Sequence, residues 1–292
     1  MRPLLFQTTD PYEHLAMLVE TSRTTREFCR RHGLAYESYV GLKRGYWNWH
    51  ATYNRIAMFN ELLDRGFRGW AIYVDPNAYI AEMDFDILGY LEGKSEFAAV
   101  MTPSRAAPNF WDIDAGVLLF NLLRPTARFM IQEWLRRLET IPDAILMQAQ
   151  TPIPGANGQA LLQRLLAEHR HLWPEIYLES PKLMNSDDGS FIRQPLRAAA
   201  TSLPERTRDV AVAIDRILGQ TPTGSGQQAA WEIAVSALYR GILGRAPDKS
   251  GVSHCLSTME QRGFGAGLEV VARQLLGSSE YQRSLESSKA VE

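Results

Sequence analysis

Short unbroken apolar runs alternate with stretches of helical period along the N-terminal two thirds of the chain. Leu4 to Thr8 is the first such run and ends on Thr8-Thr9-Asp10. Asp10 predicts a helix N-cap, with Pro11 at the first helical position and Glu13 completing a capping box. Leu15, Leu18, Val19 and Phe28 keep the helical period and Gly33 supplies the stop. A second helix is predicted from His50 to Arg65, with Tyr53, Ile56, Phe59 and Leu63 on one side. Trp70 to Val74, Phe97 to Met101 and Val117 to Phe120 are apolar without alternation, the pattern of strands buried on both faces. Helical patterns at Asp84 to Glu92, Pro125 to Leu138 and Gln159 to His171 separate or follow them. Strands alternating with helices predict an α/β fold, a mainly parallel sheet covered on both faces. Ligands of such sheets bind at the carboxyl ends of the strands. That singles out Thr8-Thr9-Asp10, Asp75-Pro76-Asn77 and the stretch from Asp112 to Gly116.

The pattern changes near residue 200. A helix is predicted from Glu205 to Leu218, and Gly219 to Gly226 has the Gly, Ser, Thr and Pro content of a flexible linker. Gln227 to Leu243, Lys249 to Gln261, Leu268 to Leu276 and Ser279 to Leu285 then read as short helices punctuated by glycine. The expected organisation is a domain over 1–203, a helix and linker over 204–226 and a small all-α module over 227–292.

Charge narrows the function. The 292 residues carry 31 Lys+Arg against 33 Asp+Glu, a net charge of −2, so the basic excess of a nucleic-acid binder is missing. Arg23, Arg26, Arg30 and Arg31 fall at helical spacing and read as a solvated face. The N-terminus lacks the apolar core of a signal peptide, and the longest apolar stretch, Ala115 to Leu123, is too short to span a bilayer. Two cysteines, Cys29 and Cys255, cannot form a zinc site of their own. The expected location is cytoplasmic, with peripheral association at the inner membrane as the only membrane contact.

Asp75-Pro76-Asn77 follows a buried strand. Two acidic residues one apart on such a loop would let a divalent cation bridge to a diphosphate, but here the second is an amide. Around this loop, WNWHATYNRIAMFNELLDRGFRGWAIYVDPNAYIAEMDFDI resembles the GT-A glycosyltransferases of the galactosyl/mannosyl-transferase (GMA-MNN type) group. The resemblance continues through WDIDAGVLLFN, NGQALLQRLL and LMNSDDGSFIRQ and covers about residues 1–200 in order and spacing. It implies a GT-A-like, Rossmann-type fold and transfer of a sugar from a UDP- or GDP-sugar to a glycan or other hydroxyl acceptor, with retention of anomeric configuration.

Carried over by position, the resemblance puts Asp75 at the first carboxylate of the metal motif, and Asn77 and Gln194 at two metal ligands. Gln159 matches a residue near the reacting sugar, with Asp114 before the Gly-Val strand as a second catalytic position. Thr8, Arg55, Asn185 and Arg193 join Asp75, Asn77 and Gln194 as expected donor-binding residues. Since Asn77 and Gln194 are amides, no metal cofactor is expected beyond weak binding of Mn or Mg at Asp75 and Asn77. The diphosphate then needs cationic side chains, and Arg55, Arg193, Lys43 and Arg44 are the candidates. Tyr46, Trp47 and Trp49 are candidates to stack on a sugar or base, or to pack as core.

The tail has its own likeness. ALYRGILGRAPDKSGVSHCL with QLLGSSEYQRSL resembles the bacterial helical module known as domain of unknown function 4214, over about residues 228–285. That implies a docking role toward a protein partner. The leading expectation is a glycosyltransferase with a degenerate metal motif. The rival, from another class, is a non-catalytic relative that binds nucleotide-sugar or glycan, and a purely structural α/β scaffold is the third.

Overall fold

The structure, a computed structural model, describes residues 2–104, 109–195, 202–219 and 225–283. They form two compact units, residues 1–219 and 220–292. In the first, strands β1 (Leu4–Thr9), β2 (Ala35–Val40), β3 (Trp70–Val74), β5 (Ala99–Pro103), β6 (Ile113–Asn121) and β7 (Ile176–Leu178) make one sheet in the order β2-β1-β3-β6-β5-β7. Only β6 runs against its neighbours, β3 and β5; the other pairs are parallel. The expected mostly parallel α/β fold is what the chain adopts. A small second sheet joins β4 (Tyr79–Ile80), β8 (Met184–Ser186) and β9 (Ile192–Arg193), which the sequence patterns did not predict because each strand is only two or three residues long.

The unbroken apolar runs are explained by burial on both faces. Leu4, Phe6, Ala71, Tyr73 and Phe120 point to one core, shared with helices α2 (Asn54–Asp64), α4 (Pro125–Glu139) and α6 (Gly158–Glu168). Leu5, Ile72, Val74 and Leu119 point to the other, shared with Phe28 of α1 (Leu15–His32), with α3 (Ile87–Glu92) and with Phe191. Alternate residues therefore enter opposite cores, as the strand period requires.

Helix α1 begins later than expected. Asp10 does not cap it: its Oδ1 accepts the backbone N–H groups of Tyr12, Glu13 and His14, and its Oδ2 lies 2.9 Å from His14 Nδ1. One carboxylate gathering three successive N–H groups holds residues 10–14 in a turn, and Glu13 closes no capping box. The basic face of α1 is solvated in part only. Arg30 and Arg31 pair with Glu27, whereas Arg23 pairs with Glu20 and, at 2.6 Å, with Asp215 of α7 (Leu203–Ile217). Val210 and Ile214 of α7 pack with Met17 and Tyr79, so α7 is built into the first unit.

The second unit contains α8 (Ser225–Leu243), α9 (Lys249–Arg262) and α10 (Phe264–Leu276), followed by a helical turn over 279–283. The motif residues singled out in the tail act structurally. Asp248 Oδ1 caps α9 through Gly251 N at 2.7 Å, and Arg245 makes a two-pronged pair with Glu280. No described helix is long and apolar enough to cross a membrane.

Candidate functional site

The site forms where β3 ends beside β6. The ladder pairs Val74 with Val117, and Asp75 N continues it by donating to Gly116 O at 2.8 Å. In the parallel register of β1 with β3, Phe6 stands opposite Tyr73, so the buried Thr8 comes level with Asp75. Gln7 supports the loop from below, its Nε2 donating to Asp75 O and Ala78 O at 3.3 Å each. Gln7 was not a candidate in the sequence reading, although an amide inside the otherwise apolar run Leu4-Leu5-Phe6 was a signal of a buried polar task.

Asp75 is enclosed by protein donors. Its Oδ1 accepts from the Tyr73 hydroxyl at 2.5 Å and lies 3.2 Å from Arg55 Nη2. Its Oδ2 accepts from Gln194 Nε2 at 2.9 Å, which also reaches Asn77 Oδ1 at 3.2 Å. Burial raises the Asp75 carboxyl, against the downward pull of Arg55, Tyr73 and Gln194. For Arg55, burial works to lower its value, but the charges of Asp75, Tyr73 and Asp114 win and hold it raised.

The structure thus brings together Arg55, Asp75, Asn77, Gln194 and Asn185, with Asp114 and Gln159 on the adjoining β6 edge. Asp114 Oδ1 accepts from Gly116 N at 2.8 Å. Gln159 Oε1 accepts from Ala115 N at 3.0 Å, and its amide N–H groups have no protein acceptor among the described residues. Asn185 takes a positive φ of 73° and donates to Thr102 Oγ1 at 2.6 Å. Asn185 Oδ1 and Gln194 Oε1 are buried without a hydrogen-bond donor among the described residues. Both lie over Gly116, where a Cβ would sit 2.6 Å and 2.3 Å from them, so only glycine admits both amides.

The expected cationic clamp does not assemble. Arg193 is exposed and its Nε donates to Gly189 O at 3.1 Å, while Gln194 next to it is buried; successive residues of an extended chain face opposite ways. Arg55 is buried with its donors on Thr52 O, Ala115 O and Asp75. Lys43 pairs with Glu61 and Arg44 with Ile141 O and Asp143. Trp47 and Trp49 donate to Met147 O and Ala149 O, which makes them anchors for α5 (Asp143–Gln148) instead of a free stacking surface. Of the three candidates Tyr46 stays exposed, as does Tyr12 on the turn that follows β1, which was not among the candidates.

Nor does the donor set fit a tightly bound divalent ion. A magnesium or manganese site needs several oxygen ligands with charge to match. Here the Asp75 carboxylate is already paired with a guanidinium, the Asp114 carboxylate accepts from Gly116 N, and the remaining neighbours are neutral amides. No group of three or more His, Cys, Asp or Glu is placed to hold a metal among the described residues.

His50 secures the loop that leads into α2. Its Nδ1 accepts from Tyr46 N at 2.8 Å and Trp47 N at 3.1 Å, above Gly45, whose φ of 93° and lack of a side chain leave room for the ring. Burial lowers its pKa to about 4. The unfolded chain takes up this proton near pH 6.5 and the folded chain does not. Stability from His50 is therefore full above pH 6.5 and is lost as pH falls toward 4. In urea melts across that window, His50→Asn, which keeps an acceptor near Nδ1, should remove this part of the acid sensitivity. An unchanged pH slope would show that His50 titrates normally.

No protein-family model matches this sequence, and no curated protein sequence matches it either. Solved structures do. A glycosyltransferase involved in glycosylation of the major capsid of PBCV-1 superposes with a TM-score of 0.52 at 12% identity, covering 73% of this chain and 100% of that one. The galactosyltransferase LgtC, solved with donor and acceptor sugar analogues, gives 0.44 at 12% identity over 78% of this chain and 99% of its own. GlyE of Streptococcus pneumoniae TIGR4 gives 0.41 at 13% identity over 77% and 65%. At these identities the likeness is one of fold, and the fold is GT-A-like.

Proposed function

We propose that this chain is a glycosyltransferase that moves a sugar from a nucleotide diphosphate-sugar to a hydroxyl acceptor, without a tightly held divalent ion. The observation that supports it most is the convergence of Asp75, Asn185, Gln194, Asp114 and Gln159 at the β3–β6 edge of a GT-A-like fold. In this reading Arg55 takes over charge compensation of Asp75, and Gln159 offers its free amide N–H groups to the sugar or its leaving group. Retention of configuration comes from the family resemblance alone.

A second reading has a specific observation in its favour. Arg55, Arg193, Lys43 and Arg44 are all engaged away from a diphosphate, which suits a non-catalytic protein that binds sugar through neutral polar groups.

A thermal-shift screen over UDP- and GDP-sugars, each with manganese and with EDTA, tests both. A ligand bound at a hundred times its Kd stabilises the native state by about 2.7 kcal/mol. The expected result is a raised Tm with one donor class, equal under both conditions, together with release of free nucleotide when acceptor is supplied. A tenfold or greater loss of affinity on chelation, about 1.4 kcal/mol, would restore a metal to Asp75. Binding without nucleotide release would favour the second reading.

A further inference from the structure

Outside the Asp75 cleft, Phe110, Trp111 and Trp173 form a partly buried aromatic cluster, with Phe110 and Trp111 packed on their inner side against the core. Phe110 stacks on Trp173 with centroids 4.8 Å apart and planes at 25°, and Trp111 lies 5.6 Å from Trp173 at 37°. The exposed Arg170 stands over both tryptophans, 5.7 Å and 5.6 Å from the ring centroids. Two features coincide at this cluster. Trp47, Trp49, Trp134 and Trp173 each donate their indole N–H to a backbone carbonyl, whereas those of Trp111 and of the buried Trp70 have no protein acceptor among the described residues. Of these two only the partly exposed Trp111 has a guanidinium over its ring. Arg170 likewise has no carboxylate partner among them and rests only on aromatic rings.

The cluster is also placed by the chain. Trp111 precedes Asp114 by three residues, which bounds their Cα separation at about 11 Å. The intervening turn is closed by Ile113 N donating to Trp111 O at 2.8 Å, and Gln163 Nε2 holds Ile113 O at 2.8 Å. A ring seated on Trp111 is then within one or two sugar units of the Asp114 edge.

We propose that Trp111 and Arg170 form a saccharide-binding subsite for the acceptor. An apolar sugar face packs on the aromatic surface, and the sugar oxygens accept from Trp111 Nε1–H and from the Arg170 guanidinium. Aromatic rings and unpaired donors together suit a polyol with one apolar face, since each supplies what the other lacks. The assignment names the acceptor class for the proposed transferase and rests on that reading for its role, though the binding itself does not.

The test is by NMR on the full chain, following indole N–H signals with the Trp111 resonance assigned from Trp111→Phe. The probes are maltose, cellobiose, lactose and chitobiose, with UDP and GDP as controls. At least one disaccharide should shift the Trp111 signal while leaving that of Trp134 in place. Arg170→Ala, an exposed change with no ion pair to break, should weaken that saccharide fivefold or more. The subsite is overturned if none of the saccharides moves the Trp111 signal, if Arg170→Ala binds like the parent, or if UDP or GDP moves it and the saccharides do not. Saccharide binding here with no nucleotide-sugar binding anywhere would keep the subsite and remove the transferase.

Discussion

Arg55→Leu is expected to destabilise the protein by about 3–5 kcal/mol, because removing one partner of a buried ion pair strands the other charge. Asp75 would keep its bonds from Tyr73 and Gln194 but lose the guanidinium 3.2 Å away. It would also lose the tie that Arg55 makes between Thr52 O and Ala115 O. The defect should depend on pH in a definite sense. Burial already raises Asp75, and removing Arg55 takes away its chief downward pull. A folded state that holds a carboxyl proton more tightly than the unfolded chain is favoured at low pH and loses that advantage as pH rises through the folded value. The variant should therefore recover part of its stability as the pH is lowered from neutral. Arg55→Leu with Asp75→Asn should recover more at pH 7, since no charge is then stranded. Urea melts of the two single variants and the double variant give the coupling directly. Additive losses would mean that Arg55 and Asp75 do not act as a pair.

Trp134→Ala should cost a similar amount, about 3–5 kcal/mol for a large aromatic truncated in a core. Trp134 is fully buried on α4, and its indole N–H donates to Gly158 O at 2.9 Å. Gly158 starts α6, and a Cβ there would meet Thr52 O at 2.7 Å. Helix α6 is thus held close to the residues just before Arg55 while it delivers Gln159 to Ala115 and Gln163 to Ile113. Trp134→Phe keeps much of the apolar volume but loses the hydrogen bond, and should cost distinctly less than the alanine variant. Both are read from denaturant midpoints with m unchanged. If alanine and phenylalanine cost the same, the contact to Gly158 carries the effect and the packing does not.

The local pattern of the sequence was a sound guide to the large sheet. Trp70 to Val74 and Val117 to Phe120 read as strands buried on both sides, because the runs are too short for a helix and both of their faces are apolar. The same pattern misjudged Asp10, since a carboxylate before a proline can cap a helix or close a turn, and the choice depends on where the following backbone is held by the rest of the protein. It was silent on β4, β8 and β9, whose two or three residues are too few to show a period. Those short strands matter, because they carry Asn185 to Gly116 and place Gln194 at Asp75.

By itself, the sequence determined the α/β class, the polar residues at the strand ends around Asp75 and Gly116, and the neutral amides at Asn77 and Gln194. These follow from residue identity and short-range periodicity, which need no knowledge of distant contacts. Tertiary structure alone decided which charges meet. Arg55 and Arg193 were the leading candidates for a phosphate, ahead of Lys43 and Arg44, as long as only their identities and positions in the chain were known. Burial put Arg55 against Asp75, strand alternation turned Arg193 outward, and Glu61 and Asp143 took up Lys43 and Arg44. Partner choice among charged side chains is set by distance and desolvation, and both are properties of the folded chain.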